Sequence, residues 1–128
     1  MKKTKVIFII SVLIISVILV GCSSTGPPET FAKCLTEGGI KIFGAYWCPN
    51  CITQKKMFGD SWEYVNYIEC SLPGGKGQTQ YCEQAGIEGY PTWEFEDGTR
   101  RSGVIQLEEL SSITGCSLID ATAEVAIN

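Results

Sequence analysis

The chain has 128 residues, of which the first 21 read as a removable leader, so the remainder is long enough for one folded domain and too short for several. With 45% hydrophobic and 19% charged residues, it should fold as a compact globule and not stay disordered. Three of its ten basic residues lie in the leader, which leaves seven basic and 14 acidic side chains, a net charge of −7, and disfavours nucleic acid as a partner. There is no His, so imidazole bases and imidazole metal sites are excluded, and seven Cys remain as the candidate chemistry.

The N-terminal segment, residues 1–21, has the pattern of an export signal. An apolar run from Val6 to Val20, marginally long enough to span a bilayer, follows the basic residues Lys2, Lys3 and Lys5. The run ends in Leu-Val-Gly-Cys at Cys22, which resembles the lipobox at which lipoprotein processing acylates a Cys and cleaves before it. An uncleaved signal anchor is the alternative, and both place the domain outside the cytoplasmic membrane. We expect Cys22 to carry the lipid anchor and residues 22–28 to form a short tether.

Beyond the tether, segments with helical and strand patterns alternate. The predicted helices are Glu29–Glu37, Ile52–Phe58, Gln78–Ala85 and a last one containing Leu107, Leu110 and Ile113 that closes at Gly115. The predicted strands are Ile40–Tyr46, Tyr64–Glu69, Pro91–Glu96 and Thr99–Val104, the last two joined by the turn Asp97-Gly98, while residues 73–77 form a loop. This order predicts an α/β domain over residues 29–116, with helices on both faces of the sheet, followed by a tail over residues 117–128.

The sequence Trp47-Cys48-Pro49-Asn50-Cys51 lies where a predicted strand meets a predicted helix. At a helix N-terminus the unpaired N–H groups and the macrodipole favour a thiolate at the first sulfur, and Pro49 suits the first helical position. The spacing lets the two sulfurs close a disulfide, so Cys48 is the candidate nucleophile and Cys51 the candidate resolving residue of a two-electron thiol–disulfide switch. A structural disulfide and half of a zinc site with Cys70 and Cys82 are the alternatives.

A second motif, Ile87-Glu88-Gly89-Tyr90-Pro91-Thr92, has its proline 40 residues after Cys51. Together with Trp-Cys-x-x-Cys it resembles the thioredoxin family, which implies a thioredoxin fold with a central mixed β-sheet flanked by helices. The resemblance implies that Pro91 is cis and lies beside the two sulfurs, and that the Tyr90 backbone contacts an extended substrate chain. A Pro that opens a strand agrees with this, because it cannot donate to the ladder. An ordinary trans Pro91 is the alternative.

Four segments together are similar to the thioredoxin-like domain fused to bacterial vitamin K epoxide reductase homologues. They are Phe31-Ala-Lys-Cys-Leu, Gly44-Ala-Tyr-Trp-Cys-Pro-Asn-Cys, Tyr67-Ile-Glu-Cys and Gly86-Ile-Glu-Gly-Tyr-Pro-Thr-Trp. In such fusions the membrane part oxidises the thioredoxin-like part, which implies a separate membrane oxidase of this kind as the redox partner here. A lipid anchor would keep the domain near that oxidase.

Two positions depart from the patterns that resemblance implies. Asn50 stands where strongly oxidising relatives carry a His, and Ile42 stands where reducing thioredoxins bury an acid beneath the sulfurs. These departures weaken the oxidant and the reductant assignment respectively. The potentials of such dithiols run from about −270 to about −120 mV, and the sequence does not locate this one within that range.

Four further cysteines remain once Cys22 and the redox pair are assigned. We predict a disulfide between Cys70 and Cys82, which would join the Gly-rich loop and the following helix to the second strand. An electron-relay role for this pair is an alternative that the resemblance suggests. Cys34 and Cys116 either pair or stay buried and free.

The aromatic and acidic residues near these motifs have simpler interpretations. Trp47 is expected to cover the site and to contact substrate, and Trp93 follows Pro91 on either face. Trp62 and Tyr64 are interpreted as packing residues. The acidic residues Glu94, Glu96 and Asp97 are interpreted as a solvated strand end and not as a metal site.

We therefore expect an extracytoplasmic, membrane-anchored and monomeric thiol–disulfide oxidoreductase, more oxidising than reducing, that acts on the cysteines of exported proteins. It would need no cofactor beyond its own redox-active disulfide. A reductase or isomerase fed by a membrane electron carrier is the enzymatic alternative. A non-catalytic module that binds peptides along Tyr90 and Pro91 is the other.

Overall fold

The computed structural model describes residues 26–120. The predicted leader, the predicted lipidation site Cys22 and residues 121–128 of the predicted tail lie outside the described residues. Within the described part, helices and strands follow one another in the predicted order α-β-α-β-α-β-β-α. No helix among these residues is both long and apolar enough to cross a membrane.

The α-helices are α1 (Glu29–Glu37), α2 (Pro49–Phe58), α3 (Gln80–Gln84) and α4 (Leu107–Thr114), and the strands are β1 (Lys41–Gly44), β2 (Tyr67–Glu69), β3 (Thr92–Glu94) and β4 (Arg100–Ser102). Short 3₁₀ helices cover Gly59–Tyr64 and Pro73–Gly75. Gly115, at a φ of 74°, ends α4 in the left-handed conformation that glycine adopts without strain, as predicted.

The strand predicted from Tyr64 begins only at Tyr67, and the start predicted for it was wrong. The Thr36 hydroxyl on α1 donates to the Tyr64 carbonyl at 2.7 Å and accepts the Asn66 N–H at 3.0 Å. Because α1 binds these backbone groups, they are not available to extend the strand ladder. The other three strands lie where predicted but are shorter.

The third helix is also shorter than predicted, because its first turn is capped at Thr79. The Thr79 hydroxyl accepts the Cys82 N–H, which fixes the start of α3 at Gln80. Gln78, predicted to be helical, instead forms an antiparallel bridge with Ser71. The predicted loop at residues 73–77 contains the 3₁₀ turn Pro73–Gly75.

The four strands form one mixed sheet in the order β2-β1-β3-β4. β1 pairs with β2 in parallel and with β3 antiparallel, and β3 and β4 form the predicted hairpin. In this register Gly44 at the end of β1 lies opposite Glu69 at the end of β2. A mixed sheet with helices is compatible with the α/β thioredoxin-like fold.

Helices cover both faces of this sheet. Neighbouring residues of β1 point to opposite faces, so they pack in different core clusters. Ile42 packs in the larger core cluster, which includes Phe31 of α1, Phe58 of α2 and Leu110 of α4. Phe43 packs on the other face, in a smaller cluster with the Cys70–Cys82 pair and Ile87. The carboxyl end of β1, from which the chain turns into α2, therefore lies between two buried cores.

Candidate redox-active site

Cys48 lies at the junction between β1 and α2. Its backbone is extended, with a φ of −74° and a ψ of 123°, and it is the N-cap residue of α2, with Pro49 in the first turn. The Cys48 N–H donates to the Ala45 carbonyl at 3.0 Å, and its carbonyl accepts the first helical hydrogen bond, from Ile52, at 3.0 Å. The Cys48 sulfur is therefore held at the positive end of the helix, which favours negative charge there.

Cys51 lies one turn further along α2 and faces the protein interior. Cys48 and Cys51 are 7% and 4% exposed and are not joined by a disulfide in this structure. Burial raises the pKa of the Cys51 thiol, and the neighbouring Cys48 and Glu69 raise it further, while a hydrogen bond from the Ala45 backbone opposes them. Cys51 is thus a thiol that must lose its proton before it can act as a nucleophile.

Gly44 makes room for Cys51 at the end of β1. A Cβ at this position would lie 2.9 Å from the Cys51 sulfur and 2.7 Å from the Tyr67 ring. Any side chain larger than hydrogen would displace one of these two groups, so the glycine is required here by space. The Tyr67 hydroxyl lies 3.0 Å from that same point.

The segment Tyr90–Pro91 lies against the Cys48 sulfur. The Tyr90–Pro91 peptide bond is cis, as the resemblance implies. The Cys48 thiol donates to the Tyr90 carbonyl, with the sulfur and oxygen 3.6 Å apart. Pro91 itself is fully buried, and the Tyr90 hydroxyl accepts a hydrogen bond from the Gln78 amide at 2.7 Å. The structure therefore brings together Cys48, Cys51, Tyr90 and Pro91 from two separate parts of the chain.

Trp47 stands beside the sulfurs and is 51% exposed. Its indole N–H donates to the Ser71 hydroxyl at 2.8 Å, and its ring meets the Tyr90 ring edge-to-face at 6.2 Å. The ring is fixed in place while one face stays accessible to solvent. Other exposed apolar side chains nearby on the chain are Tyr46 and Ile52, so the surface around Cys48 is unusually apolar.

A cavity of about 370 Å³ opens beside Cys51. The side chains that line it include Lys55 of α2 and Tyr67 and Glu69 of β2. The Tyr67 hydroxyl donates to the Glu69 carboxylate at 2.9 Å, and that carboxylate also accepts the N–H groups of Ser71 at 2.8 Å and Tyr46 at 3.3 Å. Burial, together with the hydrogen bond to Glu69, raises the pKa of the Tyr67 hydroxyl.

Sequence reasoning did not find Glu69 or Tyr67, because their place beside Cys51 depends on the register of β1 against β2. It also missed Gln54, a fully buried polar residue of α2. Its amide donates to the Ile105 carbonyl at 3.0 Å and accepts the Ile105 N–H at 2.8 Å, which joins the active-site helix to the segment before α4. The spacing of Cys51, Gln54 and Phe58 would have placed Gln54 on the buried helix face.

The other four cysteines form two disulfides. Cys70 and Cys82 are joined, which is the predicted pairing, and both are fully buried. Cys34 and Cys116 are also joined, which resolves the alternative that the sequence left open. Neither pair takes part in a metal site, and among residues 26–120 no group of His, Cys, Asp or Glu could hold a metal ion.

Among the aromatic and acidic residues near the motifs, Glu94 differs from its expected surroundings. Trp93 points into the larger core cluster and is fully buried, while Trp62 packs against Phe58 as expected for a packing residue. Glu94 is not a solvated strand end, because it pairs with Lys41 at 2.8 Å and Arg100 at 2.6 Å and only 15% of its side chain is exposed. These two cations lower the pKa of the Glu94 carboxyl, Lys41 having the larger effect.

Comparison with known proteins finds a similarity to a curated oxidoreductase. No family model matches the chain. The chain is 42% identical over 106 residues to thiol-disulfide oxidoreductase LTO1 of Arabidopsis thaliana, a match that covers 80% of this chain and 28% of the relative. The chain thus spans less than a third of that relative's length. The similarity supports a thiol–disulfide oxidoreductase family for this chain.

Proposed function

We propose that this chain is a thiol–disulfide oxidoreductase in which Cys48 and Cys51 alternate between dithiol and disulfide. The observation that carries the proposal is the position of Cys48, a sulfur at a helix N-terminus beside the Tyr90 carbonyl, with Cys51 one turn deeper on the same helix. The name of the Arabidopsis relative supports the same activity.

The proposed chemistry needs no cofactor beyond these two sulfurs. In the oxidising direction, a substrate thiolate attacks the Cys48 sulfur of the Cys48–Cys51 disulfide, and Cys51 leaves as a thiolate. A second substrate thiol then attacks the mixed disulfide and releases Cys48, so that two electrons pass from the substrate to the protein. The reducing direction runs the same steps backwards.

The surface around Cys48 supports a protein as the substrate. Trp47 and Tyr46 present half or more of their side chains to solvent next to a backbone carbonyl, that of Tyr90, at the site. Such a surface offers apolar contact and a hydrogen-bond acceptor to an extended chain that carries a cysteine. We propose exported proteins as these substrates.

We also propose that the domain acts outside the cytoplasmic membrane, anchored through Cys22, and that a membrane protein like vitamin K epoxide reductase reoxidises it. The support is the signal pattern before Cys22 and the sequence resemblance, which extends through the segments around Cys48 and Pro91. A tether on a membrane raises the local concentration of a membrane partner.

Trapping experiments on the full chain test the proposed activity. Cys51→Ser should accumulate mixed disulfides with envelope proteins through Cys48, because the resolving thiol is missing, and Cys48→Ser is the matched control that should accumulate none. Non-reducing gels and mass spectrometry would identify the adducts. A Cys51→Ser chain with no adducts above the Cys48→Ser control would contradict catalysis, and a Cys48→Ala chain that keeps all its partners would favour a peptide-binding module.

The reduction potential of the Cys48–Cys51 pair decides the direction. It can be measured by equilibrating the protein with glutathione and counting free thiols by alkylation mass shift. A potential between about −180 and about −120 mV is expected for a disulfide donor, whereas one near about −270 mV would mean a reductase.

A further inference from the structure

The proton of Cys51 has no acceptor on β1. The buried side chains of that strand, Ile42 and Phe43, are apolar. Resolution of a mixed disulfide nevertheless requires Cys51 to become a thiolate, and burial holds it in the thiol form. The base that removes this proton must therefore come from another element.

The neighbouring strand β2 supplies a carboxylate within reach. The ionisable groups that face Cys51 are Cys48 and Lys55 on its own helix and Tyr67 and Glu69 on β2; Tyr46, on the loop after β1, lines the same cavity. Of these, only Glu69 is a carboxylate. Glu69 and Cys51 line the same cavity, and the Tyr67 hydroxyl donates to the Glu69 carboxylate at 2.9 Å.

On the basis of the proposed function, we propose that Glu69 is the base for Cys51. The Glu69 carboxylate takes the Cys51 proton across the cavity that both side chains line, through a bridging water where the two groups are not in direct contact. The Cys51 thiolate then attacks the Cys48 sulfur of the mixed disulfide, the new Cys48–Cys51 bond forms, and the substrate sulfur leaves with the electron pair. In the oxidising direction Glu69 returns the proton to Cys51.

A base and a mere negative charge at Glu69 have opposite consequences. A negative charge near Cys51 disfavours the thiolate, so removing it would make Cys51 a better nucleophile and speed resolution. Removing a base would slow resolution. The sign of the change caused by Glu69→Gln therefore separates the two roles.

The experiment uses the full chain in detergent, with Cys22→Ser in every version so that Cys48 and Cys51 are the only free thiols counted. The reduced protein is mixed with Ellman's reagent in a stopped-flow instrument. The first thionitrobenzoate is released in a bimolecular phase as Cys48 reacts. The second is released in a first-order phase as Cys51 attacks the Cys48 mixed disulfide, so the two steps are read separately.

We expect Glu69→Gln to slow the first-order phase about tenfold or more at neutral pH and to change the bimolecular phase by less than about twofold. The slowing should shrink as the pH rises, because hydroxide replaces the carboxylate. Glu108→Gln, an exposed acid of α4, is the control and should change neither phase.

An unchanged or faster first-order phase in Glu69→Gln would overturn the proposal. Equal slowing of both phases would also overturn it, because that result indicates a disturbed fold and not a lost base. If the wild-type chain shows no first-order phase at all, then Cys48 and Cys51 do not act as a pair, and the proposed function itself fails.

Discussion

The buried amide of Gln54 is predicted to contribute more to stability than any surface hydrogen bond. Its two hydrogen bonds to Ile105, at 2.8 and 3.0 Å, pair a backbone N–H and a backbone C=O that lie in the core. Its oxygen also receives the Trp93 indole N–H at 3.4 Å. Among the described residues, every buried side-chain nitrogen or oxygen has a hydrogen-bond partner. The Gln54 amide is the partner of the polar groups packed around it.

Gln54→Leu keeps the size of the side chain and removes every one of these hydrogen bonds. Each buried group left unpaired costs about 1–3 kcal/mol, and two backbone groups of Ile105 lose their partner. Burial of the apolar leucine offsets part of this cost, so we expect the free energy of unfolding to fall by about 2–4 kcal/mol. For a domain of this size the melting temperature should fall by roughly 10–25 °C.

Urea unfolding of the protein with its disulfides intact measures this loss, followed by tryptophan fluorescence and far-UV circular dichroism. Gln84→Leu is the matched control, because Gln84 is an exposed helical glutamine and such substitutions change stability by about 0.5 kcal/mol or less. A midpoint for Gln54→Leu as close to wild type as that of the control would refute the argument that the Ile105 backbone depends on this amide. A changed slope would instead show that unfolding is no longer two-state.

Two further predictions concern the disulfides and the acid sensitivity of the fold. Removing the Cys34–Cys116 disulfide by double Ala substitution should lower the free energy of unfolding by about 4.5 kcal/mol, and removing the Cys70–Cys82 disulfide should lower it by about 3 kcal/mol. The first loss is larger because that disulfide closes a loop with a sequence separation of 82, whereas the second closes one of 12. The reverse order of these losses in urea titrations would contradict the chain-entropy account. Lys41 and Arg100 lower the pKa of the Glu94 carboxyl in the folded protein. The ion pairs of Glu94 therefore stabilise the protein above the ordinary carboxyl pKa and are lost as the pH falls through the lowered value. Glu94→Gln should thus lose less stability than wild type on acidification below about pH 4.5. Glu96→Gln, at an exposed acid, is the control, and an equal acid response in wild type and Glu94→Gln would contradict the assignment.

The sequence predicted the position of Cys48 and Cys51 at a helix start because the signals for it are local. A buried strand that runs into Cys-Pro-Asn-Cys places Cys48 at a helix start through backbone geometry alone, and Gly115 and the Asp97-Gly98 turn mark their elements in the same way. The approach of Pro91 to Cys48 is not local, and it was available only through the family resemblance.

Features that depend on how elements meet could not be read from the sequence. Glu69 reaches the cavity beside Cys51 because β2 pairs with β1 in the register that places Gly44 opposite Glu69. A shift of this register by one residue would turn the Glu69 side chain to the other face of the sheet. The Cys34–Cys116 disulfide forms because the middle of α1 meets the end of α4, which local patterns do not encode. Glu94 was misread for the same reason, since Lys41 and Arg100 come from the strands on either side of it.

The three cysteine pairs differ in what surrounds them, and this difference supports the proposed redox role of Cys48 and Cys51. Cys70 and Cys82 lie wholly within a core cluster, and their disulfide connects the end of β2 to α3. Cys48 is also nearly buried, yet it lies at a helix start next to the exposed ring of Trp47, where an incoming sulfur can approach. Attack on a disulfide needs a nearly linear path to one sulfur, and the position of Cys48 next to Trp47, with Cys51 deeper on the same helix, agrees with the proposed roles of Cys48 as the entry point and Cys51 as the resolving group. The Cys70–Cys82 pair, buried in the core, offers no such path.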